Sequence, residues 1–571
     1  VKTFVICLLT LLVAATAWGQ WEYGGENIGY GPIGAIGLQP RLCPDDSGGV
    51  YVVWTAYFED RPGREIVVCH FDTSGHELFG DTGLFITNDS LDQSMPAISP
   101  DGFGGFYVVW TDHRDFPDRQ HGTLYAQRVT YGGEKLWGDG VRLFYTPGYA
   151  PDDSPLRGTD ICSDTSFGMI AVCKLDTGYQ KSVLIAQRLD GNGTLLWDSL
   201  GVIIHAASNW PASDFYQPHL SKSGGFFYCI WIGARNNNEG GIYIQKFDAN
   251  GAVYFDSEGF PVTIDNQGGA GNYFDDRGIQ IIPDGYGGVV VGWLYDNLSL
   301  GPTLRADRIS SAGQSQWQVN GKKLLPEERS QRWGLGLYQF GSGNSARFMA
   351  VMLGGGQANY QILDLSGNLL LGDSGGVFTQ GTFFATTEYA DTLYAMQELD
   401  TLYYYYFGSK RDLSGNEYWP NPPYIHGWID GNYELLPDRF GGMYVTFVLY
   451  RDFRTDWVYI QRIYPDGHFG GDTTGISIEE PPSLPKVLSL EAYPNPFNSS
   501  TTIKIDGFMG KEVEIGIYNI EGRLIDKLQT KDIKIIWNAK NSDNEPIPSG
   551  IYFAKIIQPT STIARKMIYL K

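Results

Sequence analysis

Four polar loops hold the residues whose types could do chemistry: Tyr57-Phe58-Glu59-Asp60-Arg61, Asp112-His113-Arg114-Asp115, Arg235-Asn236-Asn237-Asn238 and Tyr450-Arg451-Asp452. Each follows a strongly apolar run. Carboxylates beside guanidinium groups can hold sugar hydroxyls or polar protein atoms through charge-assisted hydrogen bonds. Asp112, Arg114, Asp115, Arg235, Arg451 and Asp452 are therefore the candidate ligand-binding residues. Asp and Arg at these places could equally pair between neighbouring repeats. His113 and His121 flank one loop, but no third ligand of metal-site spacing accompanies them. No His-Glu-x-x-His and no P-loop is present. With 64 acidic residues, no particular carboxylate pair for glycoside hydrolysis stands out.

These loops belong to a repeat, most clearly written in residues 100–144. A turn, Asp101-Gly102-Phe103-Gly104-Gly105, leads into Phe106-Tyr107-Val108-Val109-Trp110. After the polar loop comes Leu124-Tyr125-Ala126-Gln127-Arg128-Val129, then a Gly132-Gly133 turn, then Leu136-Trp137-Gly138-Asp139-Gly140. A short strand, Met95-Pro96-Ala97-Ile98-Ser99, precedes the turn. That makes four strands per unit. Eight such units can be traced, the third, sixth and seventh degenerate. Four-stranded units of this length predict an all-β propeller with eight blades, or seven with one unit split, over residues 20–478. Radial closure protects the strand edges that an open sheet of this size would expose. Trp21-Glu22-Tyr23-Gly24-Gly25 resembles the closing strand and is expected to complete the last blade.

The repeated residues have structural work to do. Asp-Gly-x-Gly-Gly makes a hairpin, because Gly accepts positive φ and Asp can bond its own backbone. The same Asp could hold a structural calcium, although the copies lack a run of acids; no other cofactor is expected. The recurrent Trp and the Gln-Arg pair are expected to pack blade against blade.

Composition bounds the partners. A net charge of -22 excludes a nucleic-acid binder, which needs a basic footprint. Residues 486–571 hold 12 basic against 9 acidic residues, +3, leaving -25 on the rest. Two modules with different tasks are implied. Residues 1–19 read as a signal peptide: Lys2, an apolar run over residues 4–13 too short to span a bilayer, and Ala15-Thr16-Ala17. No integral membrane segment is expected after cleavage. Export permits disulfides. Cys43 with Cys69, and Cys162 with Cys173, could pair, although five cysteines at scattered spacing do not make a framework.

The repeat resembles propellers of secreted bacterial surface proteins over residues 38–478. That resemblance implies a fold and no activity. After a Pro-rich linker, residues 479–487, the pattern changes to alternating apolar residues and close-set turns, which read as a small antiparallel Ig-like β-sandwich over residues 488–571. Tyr493-Pro494-Asn495-Pro496-Phe497-Asn498, Tyr518-Asn519 with Gly522, Ser549-Gly550-Ile551-Tyr552 and the ending from Lys566 to Lys571 resemble the type A C-terminal sorting domain of the type IX secretion system. They are also similar to the Ig-like module of the flagellar hook-capping protein. Ser499 stands where Pro is common.

The resemblance implies Sec export, passage through the outer membrane of a Gram-negative-type bacterium, and recognition by the type IX machinery and its sortase. The tail is then cleaved and the body released or attached to surface lipopolysaccharide. The expected function is non-catalytic binding or adhesion, to glycan or protein. The alternatives are a secreted polysaccharide-degrading enzyme with close, pKa-shifted carboxylates at the propeller centre, or a structural surface-layer component.

Overall fold

The computed structural model describes residues 26–27, 36–468 and 489–571, apart from stretches inside those spans such as 59–62, 116–121, 207–215, 235–239, 266–277 and 520–522. The chain divides into two compact units, residues 1–472 and 473–571. The signal segment and residues 21–25 lie outside the described residues.

In the first unit, each apolar second strand, such as Val50–Tyr57 or Phe106–Asp112, is buried along nearly its whole length. Such runs need cover on both faces. Neighbouring sheets supply it: Tyr51 and Val53 pack with Val108 and Trp110, while Val50, Val52 and Trp54 pack with Tyr444 and Val448. Eight antiparallel sheets follow one another in this way among the described residues. Their innermost strands are Ile36–Pro44, Gln93–Pro100, Thr159–Ser163, Tyr216–Ser223, Ile279–Pro283, Arg332–Phe340, Thr382–Tyr389 and Glu434–Pro437. Each innermost strand touches the next, and the last touches the first. The unit is an eight-bladed β-propeller, its blades numbered here 1 to 8 in chain order. Glu26–Asn27 pairs with Thr455–Ile463, so the start of the chain completes blade 8.

The repeated residues form a ladder around the ring. In blade 2, Asp101 Oδ1 accepts the amides of Phe103 (2.8 Å) and Gly105 (3.0 Å), closing the turn, while Oδ2 accepts Arg128 Nε (2.9 Å). Arg128 Nη1 reaches onward to the carbonyl of Gly191 in blade 3, and Trp137 Nε1 donates to the same oxygen. Blade 3 repeats this with Asp164, Arg188, Trp197 and the carbonyl of Ala249. Gln127 Oε1 accepts the amides of Arg128 and Trp137, and its Nε2 donates to Gly138 O, so the pair organises its own hairpin as well. The turn carboxylate's oxygens are thus committed to N–H and guanidinium donors. Closing glycines sit against the second-strand Trp: a Cβ on Gly321 (φ +78) would lie 2.1 Å from Trp293 Cη2.

Blade 1 breaks the pattern. His70 stands where blades 2, 3, 5 and 8 carry Arg, and its Nε2 meets Asp45 Oδ2 at 3.0 Å with both side chains fully buried. Cys69 replaces the Gln, and Glu77 Oε1 accepts the His70 amide instead (2.8 Å). Burial pushes the Glu77 carboxyl up from 4.5 to about 7. Its folded-state value exceeds the unfolded one, so its contribution is fully present below pH 4.5 and is lost as pH rises through about 7. Glu77→Gln keeps the acceptor and removes the titration. It should raise stability at pH 8 by about 1–2 kcal/mol, allowing for solvent screening, and leave stability at about pH 4 unchanged. Thermal melts across that range check this; an unaltered pH profile would contradict it.

All five cysteines outside residues 1–25 are free. Cys43 lies in the layer between blades 1 and 2, Cys69 in the layer between blades 1 and 8. Cys173 and Cys162 likewise face opposite sides of blade 3. Strand alternation therefore prevents both of the pairings that the spacing left open. The four buried thiols should react with alkylating reagent only after unfolding, and all five with no prior reduction; a mass showing a native disulfide would contradict this.

The second unit is two antiparallel sheets. Ser489–Tyr493, Thr501–Asp506 and Lys534–Trp537 form one; Leu524–Thr530, Val513–Asn519, Gly550–Ile557 and Thr562–Tyr569 form the other. Ile503, Phe497, Trp537, Ile517, Tyr552 and Met567 fill the space between them.

Candidate functional site

Three places could carry function: the loops after the second strands, the ring centre, and the C-terminal unit. At the first, Asp112 is not in a loop. It ends the strand Phe106–Asp112 and is fully buried. Its Oδ2 accepts Trp110 Nε1 (2.7 Å) and Arg114 Nη2 (2.6 Å), and its Oδ1 accepts the Arg114 amide (2.9 Å). Arg114 also donates to Asp139 O and lies 4.3 Å over the Tyr125 ring. Asp115 Oδ2 accepts Tyr125 OH (2.9 Å) and pairs with Arg142 (3.2 Å). Burial and the Asp115 carboxylate hold the Tyr125 phenol proton well above its ordinary range.

These pairs all lie within blade 2, not between blades. The cross-blade links come from the Gln-Arg position. Arg114 and Asp115 remain partly open to solvent, with Asp112 beneath them. Arg235 lies outside the described residues. Arg451 and Asp452 belong to the strand Met443–Asp452, where Asp452 pairs with Thr455, so the blade 8 connection is a tight hairpin rather than a long loop. His113 is buried, its amide bonded to Asp92 O, and His121 lies outside the described residues. Among the described residues no group of three or more His, Cys, Asp or Glu could hold a metal ion.

Sequence reading missed the ring centre. Arg41 faces Glu434 across the seam between blades 1 and 8 (3.6 Å), and Glu434 Oε2 accepts the Leu42 amide. Asp160 Oδ2 in blade 3 accepts the Leu220 amide of blade 4 (2.8 Å), and Gln280 Oε1 in blade 5 accepts the Leu337 amide of blade 6 (2.7 Å). Innermost-strand side chains therefore tie neighbouring blades. Burial pushes the Asp160 and Glu434 carboxyls up, while Arg41 pulls both down and His219 opposes the rise at Asp160. The only signal in sequence was an acceptor side chain at the head of an otherwise unremarkable strand.

Gly372-Asp373-Ser374-Gly375-Gly376 has the spacing of a nucleophile elbow. It is an exposed turn leading into the outer strand Gly376–Gln380 of blade 6, not a strand-to-helix turn.

In the C-terminal unit most sequence-singled residues hold the first and last strands together. Asn495 Nδ2 donates to Lys566 O and its Oδ1 accepts the Ile568 amide, both at 2.8 Å. Phe497 N donates to Ile568 O, and Leu570 N donates to Phe497 O. Ser549 Oγ accepts the Lys571 amide, and Tyr552 OH donates to Pro548 O. Thr501 Oγ1 donates to Pro494 O. Gly550 pairs with Tyr569, and the Lys566 side chain is exposed. Pro496 is exposed. Gly522 lies outside the described residues. Tyr493 is the exception: it makes no such internal bond and is 81% exposed.

No helix among the described residues is long and apolar enough to cross a membrane. No curated protein sequence matches the chain. Among solved structures it is similar to PorZ, a bacterial surface component of the type IX secretion system of Porphyromonas gingivalis, at 12% identity over 92% of this chain and 79% of that one, with a TM-score of 0.23. It is also similar to prolyl oligopeptidase B of Galerina marginata, at 11% identity over 74% of this chain and 56% of that one (TM-score 0.38). A third is a Hadza microbial sialidase, at 11% identity over 58% and 66% (TM-score 0.34). The chain thus spans little more than half of the peptidase, and likenesses this distant carry no functional argument. Residues 491–570 match the family model of the secretion system C-terminal sorting domain. The C-terminal unit is a secretion-system sorting domain, and the protein that carries it is secreted, to the surface or the exterior of a bacterium.

Proposed function

We propose that the chain is a non-catalytic binding or adhesion protein whose tail directs type IX secretion and surface attachment by the sortase. The observation that supports this most is the pairing of a sorting domain with a propeller whose recurrent Asp, Arg and Trp are spent on holding the ring. The ligand is a glycan or a protein, met on the side of the ring that carries the second-to-third strand connections. Arg114 and Asp115 form its polar rim, Asp112 positions Arg114 from below, and Arg235, Arg451 and Asp452 are further proposed contacts to the ligand. Full-length protein on a glycan array, with a parallel polysaccharide hydrolysis screen, tests this. Binding without turnover, weakened by Arg114→Ala, is the expected result; turnover would overturn it.

A second reading, a polysaccharide-degrading enzyme, draws on the ring centre. Asp160 and Glu434 are two carboxyls with raised proton affinity on innermost strands, the state a general acid requires. If turnover appears, Asp160→Asn and Glu434→Gln should each abolish it; survival of activity in both would remove this reading.

A further inference from the structure

The three-stranded sheet of the sorting domain carries the two most exposed large apolar side chains of that unit among the described residues. The sheet aligns Tyr493 with Thr502 and Thr502 with Ile536. Residues directly opposite on adjacent antiparallel strands project from the same side. The alternate residues Ala492, Ile503 and Trp537 are buried in the sandwich, which puts the Tyr493–Thr502–Ile536 row on the outside. Tyr493 is 81% and Ile536 60% exposed, among the most exposed large hydrophobic side chains of the described residues. A Tyr and an Ile flanking Thr502 on a solvent-facing row cost solubility and gain nothing from the fold. The next row outward aligns Lys504 with Lys534 and with Glu491. Lys534 is exposed.

The four-stranded sheet exposes its apolar side chains less: Leu524 is 38% and Ile551 37% exposed. Its exposed pair Lys527 and Glu514 satisfy each other at 2.7 Å, and Gln529 also reaches Glu514. Asn495, Ser549 and Tyr552, which also lie in the matched segment, are consumed by bonds to the last strand or its approach. Tyr493 and Ile536 have no such employment, yet they fall inside residues 491–570.

We propose that this row is the recognition face of the sorting domain, read by a protein of the export apparatus that offers an apolar recess rimmed by carboxylates. The inference rests on the sorting reading and adds the face to it. The apolar row supplies the buried centre of the contact, and Lys534 supplies the charged rim that orients it. Such an arrangement is how a small interface gains both affinity and register. Residues 1–485 carry a net -25, so an acidic segment of this same chain is the competing occupant for Lys534, and the experiment separates that outcome.

The test is export of the full chain from a type IX-competent host, read as the fraction of protein reaching the surface and medium. Four variants are compared with the parent: Tyr493→Ser with Ile536→Ser, Lys534→Glu, Leu524→Ser, and a chain lacking residues 488–571. Leu524 is an exposed apolar residue on the other sheet, 38% accessible. Thermal melts of the purified variants control for folding; both serine substitutions remove exposed side chains and should leave the melt in place. The double serine variant should lose export at least tenfold, Lys534→Glu severalfold, and Leu524→Ser not at all. Normal export of a well-folded double variant would overturn the face while leaving the sorting reading intact, provided the truncated chain is retained. Export of the truncated chain would overturn the sorting reading itself. If the double variant fails to export only when the propeller is present, and a reporter carrying the same altered tail is exported normally, the face contacts the propeller and the proposal falls.

Discussion

Arg462→Ala is expected to destabilise the propeller by about 3–5 kcal/mol, the loss seen when one member of a buried ion pair is removed. Arg462 is 5% exposed and bonds Asp438 Oδ2 through Nε (3.0 Å) and Nη2 (2.6 Å). Its Nη1 donates to the carbonyl of Thr73, across the seam where blade 8 meets blade 1. The guanidinium also lies over the rings of Tyr444 and Tyr464. Alanine would strand the Asp438 carboxylate, whose other oxygen closes the turn through Phe440 and Gly442. It would also cut one of the bonds that close the ring. Arg439 makes a similar-looking pair with Asp46 across the same seam, but both partners are more than a third exposed. Arg439→Ala should therefore cost under about 0.5 kcal/mol. Comparing the two melts separates burial from mere proximity. Equal effects would show that the ladder is not what holds the seam.

Asp112→Ala is the second large effect, about 2–4 kcal/mol. It leaves Trp110 Nε1 buried without an acceptor and frees Arg114. Asp112→Asn keeps an acceptor for the indole and loses the charge, so it should cost about half as much. The pair of variants reports on function too. A residue that only touches ligand would lower binding and leave the melt unmoved. The geometry predicts the reverse order: stability falls first, and any binding loss at Asp112 follows from a displaced Arg114.

The ring was legible because its determinants are local and repeated. An apolar run ending in Trp, a Gln-Arg pair and an Asp-Gly-x-Gly-Gly turn each recur, and each is a strand or turn signal in its own right. What Asp101 and Arg128 do for one another was not legible, since 27 positions separate them and only the hairpin register brings them together. The same holds for Asp112, which reads as the first polar residue of a loop but is the last buried residue of a strand. Blade 1 shows why altered repeats mislead: Cys69 and His70 replace Gln and Arg, and Glu77, from just beyond the turn that follows, supplies the missing acceptor. Asp307 does this within blade 5, accepting the amides of Arg308 and Trp317. At the ring centre, bulges such as that between Leu38 and Arg41 set which side chains face inward, and nothing in the residue types announces a bulge. In the tail, Asn495 reads as a motif letter; its job of bonding a strand more than seventy residues away emerges only from the fold.

On this proposal residues 488–571 are an export address and the propeller is what they deliver. Transplanting that segment onto a periplasmic reporter in a type IX-competent bacterium tests it most directly. The account predicts that the reporter reaches the surface or the medium, and that Asn495→Ala, by unfastening the last strand, holds it back. A reporter that stays in the periplasm with the tail intact, while the parent chain is exported, would place the address elsewhere in the protein and contradict the account.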